Sequence, residues 1–109
     1  MNENIWTLAK HPDIKHLLLL LVEQLGSDSF LIDTTTPVDA RAIYLQHREE
    51  AVVRAYVSTI GQRAGRYGVH FEFPNAMEPH ENIELPALVD MLAVHFDIPV
   101  VKPLPGSAR

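Results

Sequence analysis

Four side chains carry most of the chemistry this sequence could perform: Arg54, Tyr56, His70 and Glu72. A carboxylate, an imidazole and a guanidinium on one surface can act as base, acid and phosphate clamp, as in the cleavage of RNA. They belong to two stretches that alternate with period two. VVRAYVSTIG sets Val53, Ala55, Val57 and Thr59 on one face and Arg54, Tyr56 and Ser58 on the other. RYGVHFEF sets Tyr67, Val69, Phe71 and Phe73 one way and Arg66, His70 and Glu72 the other. Such alternation is the mark of half-buried strands. Paired as a hairpin, Tyr56 faces His70 and Arg54 faces Glu72, or each pairing slips by two residues. The same residues also compose an ordinary solvated sheet face. The net charge of −5 disfavours an RNA substrate, because affinity for phosphate backbones comes from clustered Lys and Arg.

Metal chemistry finds weaker support. Among six histidines, His70 shares a strand face with Glu72, and His80 with Glu81 or His95 with Asp97 could complete a ligand set. No HExxH or other tight ligand spacing occurs, so neither a metal nor any other cofactor is expected. His95 reads as a histidine flanking a helix. Cysteine is absent, which excludes disulfides, a cysteine-based zinc site and a thiol nucleophile. Ser27, Ser29, Ser58 and Ser107 lie in no nucleophile-elbow context. GQRAGRYG, with Gly61, Gly65 and Gly68, runs into a strand, whereas a phosphate-cradling loop runs into a helix. It reads as a hairpin turn in which a glycine takes positive φ, with Arg63 and Arg66 offering a small anion contact at its tip.

Two amphipathic helices must hold these strands in place. HLLLLLVEQLG is too short for a membrane span, which needs about 20 apolar residues, and Glu3 and Asp13 spoil the basic leader of a signal peptide. It reads as a helix started by Pro12 and Asp13 and stopped at Gly26. Ile14, Leu17, Leu18, Leu21 and Leu25 form one stripe, able to cover a sheet. Leu19 and Leu20 fall off it and need cover from the N-terminal NIWTLAK segment (through Ile5, Trp6 and Leu8), from a second copy, or from a partner. LPALVDMLAVHF is the second helix, with Leu85, Leu88, Val89, Leu92 and Phe96 on its stripe. SFLID and AIYLQH read as two further strands, NAMEPHENIE as a polar loop broken by proline, and IPVVKPLPGSAR as an extended tail.

The predicted architecture is a two-layer α+β domain: an antiparallel meander of three to four strands with an N-terminal and a C-terminal helix, in the order α-β-β-β-β-α. A chain of 109 residues fits one domain, its core spanning about 5–98. The charge is segregated: Arg41, Arg48, Arg54, Arg63 and Arg66 crowd the middle, while every formal charge from Glu72 to Asp97 is acidic. The two segments either neutralise each other within the fold or orient a partner.

The expected function is therefore that of a small soluble, cytoplasmic interaction protein of bacterial type, acting as adapter, chaperone, antitoxin or immunity factor. It is expected to bind another protein, foremost a second copy as a homodimer, and neither membrane nor nucleic acid. The expected interaction surface comprises Leu19, Leu20, Arg54, Tyr56, Arg63 and Arg66. The alternative is a small acid–base enzyme, ribonuclease-like, using His70, Glu72 and Arg54, with Tyr56 beside them, on the outer sheet face.

Overall fold

The computed structural model describes residues 5–98. After a 3-10 turn at Ile5–Thr7, helix α1 runs Pro12–Leu25. Pro12 occupies its first turn, and Gly26 closes it by donating its N–H to the Val22 carbonyl, at a positive φ of 96° that glycine takes without a Cβ penalty. The strands follow as β1 (Phe30–Asp33), β2 (Ala42–His47), β3 (Arg54–Ser58), β4 (Arg66–Phe73) and β5 (Ala76–Glu84), and helix α2 closes the order at Leu85–His95. The sheet is an antiparallel meander in which each strand pairs with the next.

All five stripe residues of α1 are fully buried. With Leu88, Val89, Leu92 and Phe96 from the α2 side they meet Phe30, Ile32, Ile43, Leu45, Ala55, Val57, Val69 and Phe71 of the sheet in one core. Both helices therefore lie on the same face of the sheet, and period two along the strands decides which side chains they cover. β2 and β4 have the bounds their alternation predicts. The prolines fall where each is tolerated: Pro86 in the first turn of α2, and Pro74 in the two-residue turn between β4 and β5.

The strand count is the correction. The expectation of three to four strands gives way to five, because Ala76–Glu84, read as a loop, pairs with β4 from Phe73↔Ala76 to Arg66↔Glu84. β5 is an edge strand held by its ladder more than by burial, and Pro79 is acceptable there because an edge leaves one row of N–H groups without a strand partner. An irregularity between Tyr67 and Val69 in the β4–β5 register is taken up beside Asn82, whose φ is 53°. The proline-rich stretch 99–109, expected to be extended, lies outside the described residues.

Ile5 packs into the core and Leu8 against it, so the N-terminal segment covers part of α1. Trp6 meets the edge of His16 at 5.4 Å, and Lys15 Nζ donates to the Trp6 carbonyl at 2.9 Å. Leu19 packs against the core from its rim, and Leu20 is half-buried. No described helix is long and apolar enough to cross a membrane.

Candidate functional site

The outer face of the sheet brings together what the alternation predicts. The register is Arg54↔Glu72 and Tyr56↔His70. Arg54 donates from Nε and Nη2 to the same Glu72 oxygen, Oε1, at 3.1 and 2.9 Å. The other oxygen, Oε2, accepts from the Tyr44 hydroxyl at 2.9 Å. The Arg54 guanidinium lies 4.1 Å from the Tyr44 ring centre, a cation held on a π face. Burial first, and Glu72 second, raise the pKa of Tyr44 above that of a free phenol. Tyr56 bridges to Tyr44 at 5.3 Å and to His70 at 5.5 Å between ring centres.

His70 is not part of the Arg54–Glu72 cluster. It lines a separate hollow of about 230 Å³ with Tyr56, Ser58, Gln62, Gly68, His80 and Glu81. Gly68 makes room there: a Cβ on it would meet the Gln62 amide nitrogen at 2.9 Å. The metal sets weighed in the sequence do not assemble, and no group of three or more His, Asp or Glu side chains placed to hold an ion occurs among the described residues.

The turn arginines reach a third place. Arg63 and Arg66 line a cleft of about 160 Å³ with Arg41, Asp13, Thr59 and Gln62. Asp13 accepts from Thr59 Oγ1 at 2.6 Å, and its other oxygen lies 2.8 Å from His11 Nδ1. His11 Nε2 is 3.1 Å from Arg41 Nη2. His11 Nδ1 also accepts from the Asp13 backbone N–H at 3.3 Å, which caps the N-terminus of α1. Burial opposes the Asp13 charge, but the Thr59 and His11 hydrogen bonds outweigh it and its pKa falls below the ordinary aspartate value. Part of the segregated charge is neutralised within the fold: Arg54 pairs with Glu72 at 2.9 Å and Arg66 with Glu84 at 3.0 Å.

An apolar concavity lies elsewhere, between α2 and the β4–β5 hairpin. This groove, of about 380 Å³, is lined by Phe71, Phe73, Glu78, Asp90, Met91, Val94 and His95. Val94 is 83% exposed and Phe73 41%, so apolar side chains at its lip meet solvent with no cover from the described residues. His95 forms one wall, its ring 4.9 Å from Phe71 and 4.8 Å from Phe73. Its Nε2 lies 2.7 Å from the Arg54 carbonyl oxygen, which can only accept, so Nε2 carries the hydrogen. Burial lowers the His95 pKa against the raising effect of that bond, keeping the ring neutral at pH 7. Nδ1 is then an acceptor, buried and without a hydrogen-bond partner.

Sequence reasoning missed this groove. Its one available signal was Val94, an apolar residue off the α2 stripe in the same sense as Leu19 and Leu20 are off that of α1. Set beside family models, curated proteins and solved structures, the chain matches none.

Proposed function

We propose that this protein is a binding module that holds an apolar segment of another protein chain in the groove between α2 and the β4–β5 hairpin. The observation that carries this reading is the solvent-exposed Val94 beside Phe73, over a floor of Phe71 and Met91, on a helix whose opposite face is already spent on the core. A concave apolar surface with a few placed polar groups and a perturbed histidine is the usual form of a binding site. Leu19 and Leu20 contribute less than their sequence suggests, since Leu19 is packed at the core rim.

A second copy of the chain is the competing occupant. Acid–base catalysis by His70, Glu72 and Arg54 needs the three to converge. Here Glu72 already has both oxygens engaged, and His70 opens into a different hollow. No observation favours that reading over binding.

Site-specific photocrosslinking in the cell of origin tests the proposal. A photoreactive residue replacing Val94 is expected to yield an adduct with one other protein, and the same residue replacing Val52, exposed in the β2–β3 turn, none. An adduct at twice the mass of the chain would turn the reading into self-association. Equal adducts from both positions, or none, would overturn it.

A further inference from the structure

We propose that the cleft at the β3–β4 turn is an anion site that takes the phosphoryl group of a phosphate monoester between Arg41, Arg63 and Arg66. It lies at the opposite end of β4 from the apolar groove and does not depend on that reading.

Three observations lead there. The first is charge. Three of the six arginines in the chain line this one cleft of about 160 Å³. Arg66 is matched by Glu84 at 3.0 Å, but Arg41 and Arg63 form no ion pair among the described residues. The Arg41 guanidinium meets the His11 ring instead, at 3.1 Å. The one acid in the lining, Asp13, is taken up elsewhere: Oδ1 is buried beside His11 Nδ1, and Oδ2 accepts from Thr59. Burial, Thr59 and His11 set its pKa, and none of the three arginines does. Two unmatched guanidinium groups sharing a cleft repel each other, and an anion between them turns that repulsion into charge-assisted hydrogen bonds.

The second is that the arginines are held in place before any ligand arrives. Arg41 gives its N–H to Asp39 Oδ1 at 2.9 Å, and its carbonyl accepts from Thr59 N–H at 3.0 Å. Asn82 of β5 ties the other two. Its Oδ1 accepts from Arg63 N–H at 2.8 Å, and its carbonyl from Arg66 Nη1 at 3.3 Å. Asn82 is itself fixed, giving its N–H to Gln62 Oε1 at 2.6 Å. Donors on an anchored backbone lose less freedom when they bind.

The third is shape. The arginines come from three places: the residue before β2, the β3–β4 turn and the first residue of β4. A carboxylate presents two oxygens to such forks, whereas a phosphate monoester presents three and carries about two charges at pH 7. The cleft is well below the roughly 300 Å³ at which sites for drug-sized ligands begin, so it takes the phosphoryl group and leaves the rest of the ester outside. A net charge of −5 repels anions at long range, so affinity for phosphate has to come from the cleft itself.

Titration of the full chain with inorganic phosphate at constant ionic strength, followed in 1H–15N spectra, tests this. Saturable shifts are expected at Arg41 and at residues 59–66, with the arginine Nε–H signals among them, while residues 90–95 beside the groove stay unmoved. One charge near 4 Å in water contributes about fivefold in affinity, so Arg41→Gln and Arg63→Gln should each weaken phosphate by about that factor or more. Arg48→Gln, the same change of charge in the β2–β3 turn, should alter it by less than about twofold. Acetate should bind more weakly than phosphate. Phenyl phosphate and a phosphoserine tripeptide then separate the sources: whichever binds more tightly than inorganic phosphate assigns the site to a small ester or to a phosphorylated chain. Shifts that never saturate, or an equal loss in Arg48→Gln, would overturn the site. Acetate bound as tightly as phosphate would overturn the phosphoryl group as its ligand, and inorganic phosphate bound more tightly than both esters would overturn the ester.

Discussion

The cluster of Arg54, Glu72 and Tyr44 should behave as a structural tie, and a double-mutant cycle measures it. Arg54 and Glu72 sit opposite each other across β3 and β4, with side chains 30% and 25% exposed. Fully exposed ion pairs contribute about 0.2–1 kcal/mol, and opposite charges directly across an antiparallel pair fall in the same range, about 0.2–1 kcal/mol. Two N–H donors on one oxygen and three-quarters burial place this pair at the upper end. The coupling between Arg54→Met and Glu72→Gln should therefore be about 1 kcal/mol. Glu72→Gln also weakens the bond from Tyr44, a further loss of about 0.5–1 kcal/mol. Urea denaturation of wild type, both single variants and the double variant gives each number, and repetition in 1 M salt should reduce the coupling without abolishing it. Groups held ready for catalysis behave differently, because their removal commonly leaves a protein equally or more stable. A coupling below about 0.3 kcal/mol, or a Glu72→Gln variant more stable than wild type, would refute the structural assignment and return these residues to the catalytic reading.

The leucine run supplies another contrast. Leu18, with no exposure, should cost about 2–5 kcal/mol as Leu18→Ala; half-buried Leu20 should cost about 1 kcal/mol or less, as read from denaturation midpoints. Equal costs would mean that Leu20 is covered in the native assembly. His95 gives a pH signature of known sign. Its folded pKa lies below the unfolded 6.5, so the unfolded chain takes up the proton first. Stability from this residue is full above pH 6.5 and falls as the pH drops from there through the folded value. The slope of stability against pH below 6.5 should be shallower in His95→Gln than in wild type; an unchanged slope would show that His95 is not held neutral by the fold.

Much of the fold was legible because burial writes itself into sequence. Ile14, Leu17, Leu18, Leu21 and Leu25 are all fully buried, and a helix that covers a sheet must repeat its apolar residues in that way. The same logic put Arg54 and Glu72 on one outer face, since the core face of β3 and β4 fixes which residues remain for it, but left open a slip of two residues that the Arg54↔Glu72 register resolves. What period two leaves open is how far the outer residues cooperate. Glu72 is held by Tyr44 from β2 as well as by Arg54, a contact across two strands that no local spacing encodes. The separation of His70 from Glu72 is equally invisible in one dimension, because it depends on Gly68 and Gln62 shaping a hollow beside the histidine.

The unread strand and the unread groove have one cause. β5 has no fully buried residue, so the alternation that reveals a strand never appears in it; hydrogen bonds to β4 hold it, and backbone pairing leaves no trace in composition. Its presence changes the geometry of the whole face. Two helices packed about 10 Å apart cover roughly 20 Å, which matches four strands at about 4.8 Å spacing. Five strands need roughly 24 Å, more than that helix layer spans. At that margin Phe71, Phe73 and Glu78 line the groove together with Asp90, Met91, Val94 and His95 of α2. A four-strand reading finds the sheet fully covered and looks for surplus apolar surface on α1, at Leu19 and Leu20. With the fifth strand in place, the surplus lies at the other end of the layer. Val94, the apolar residue that α2 does not need for its core, stands over it.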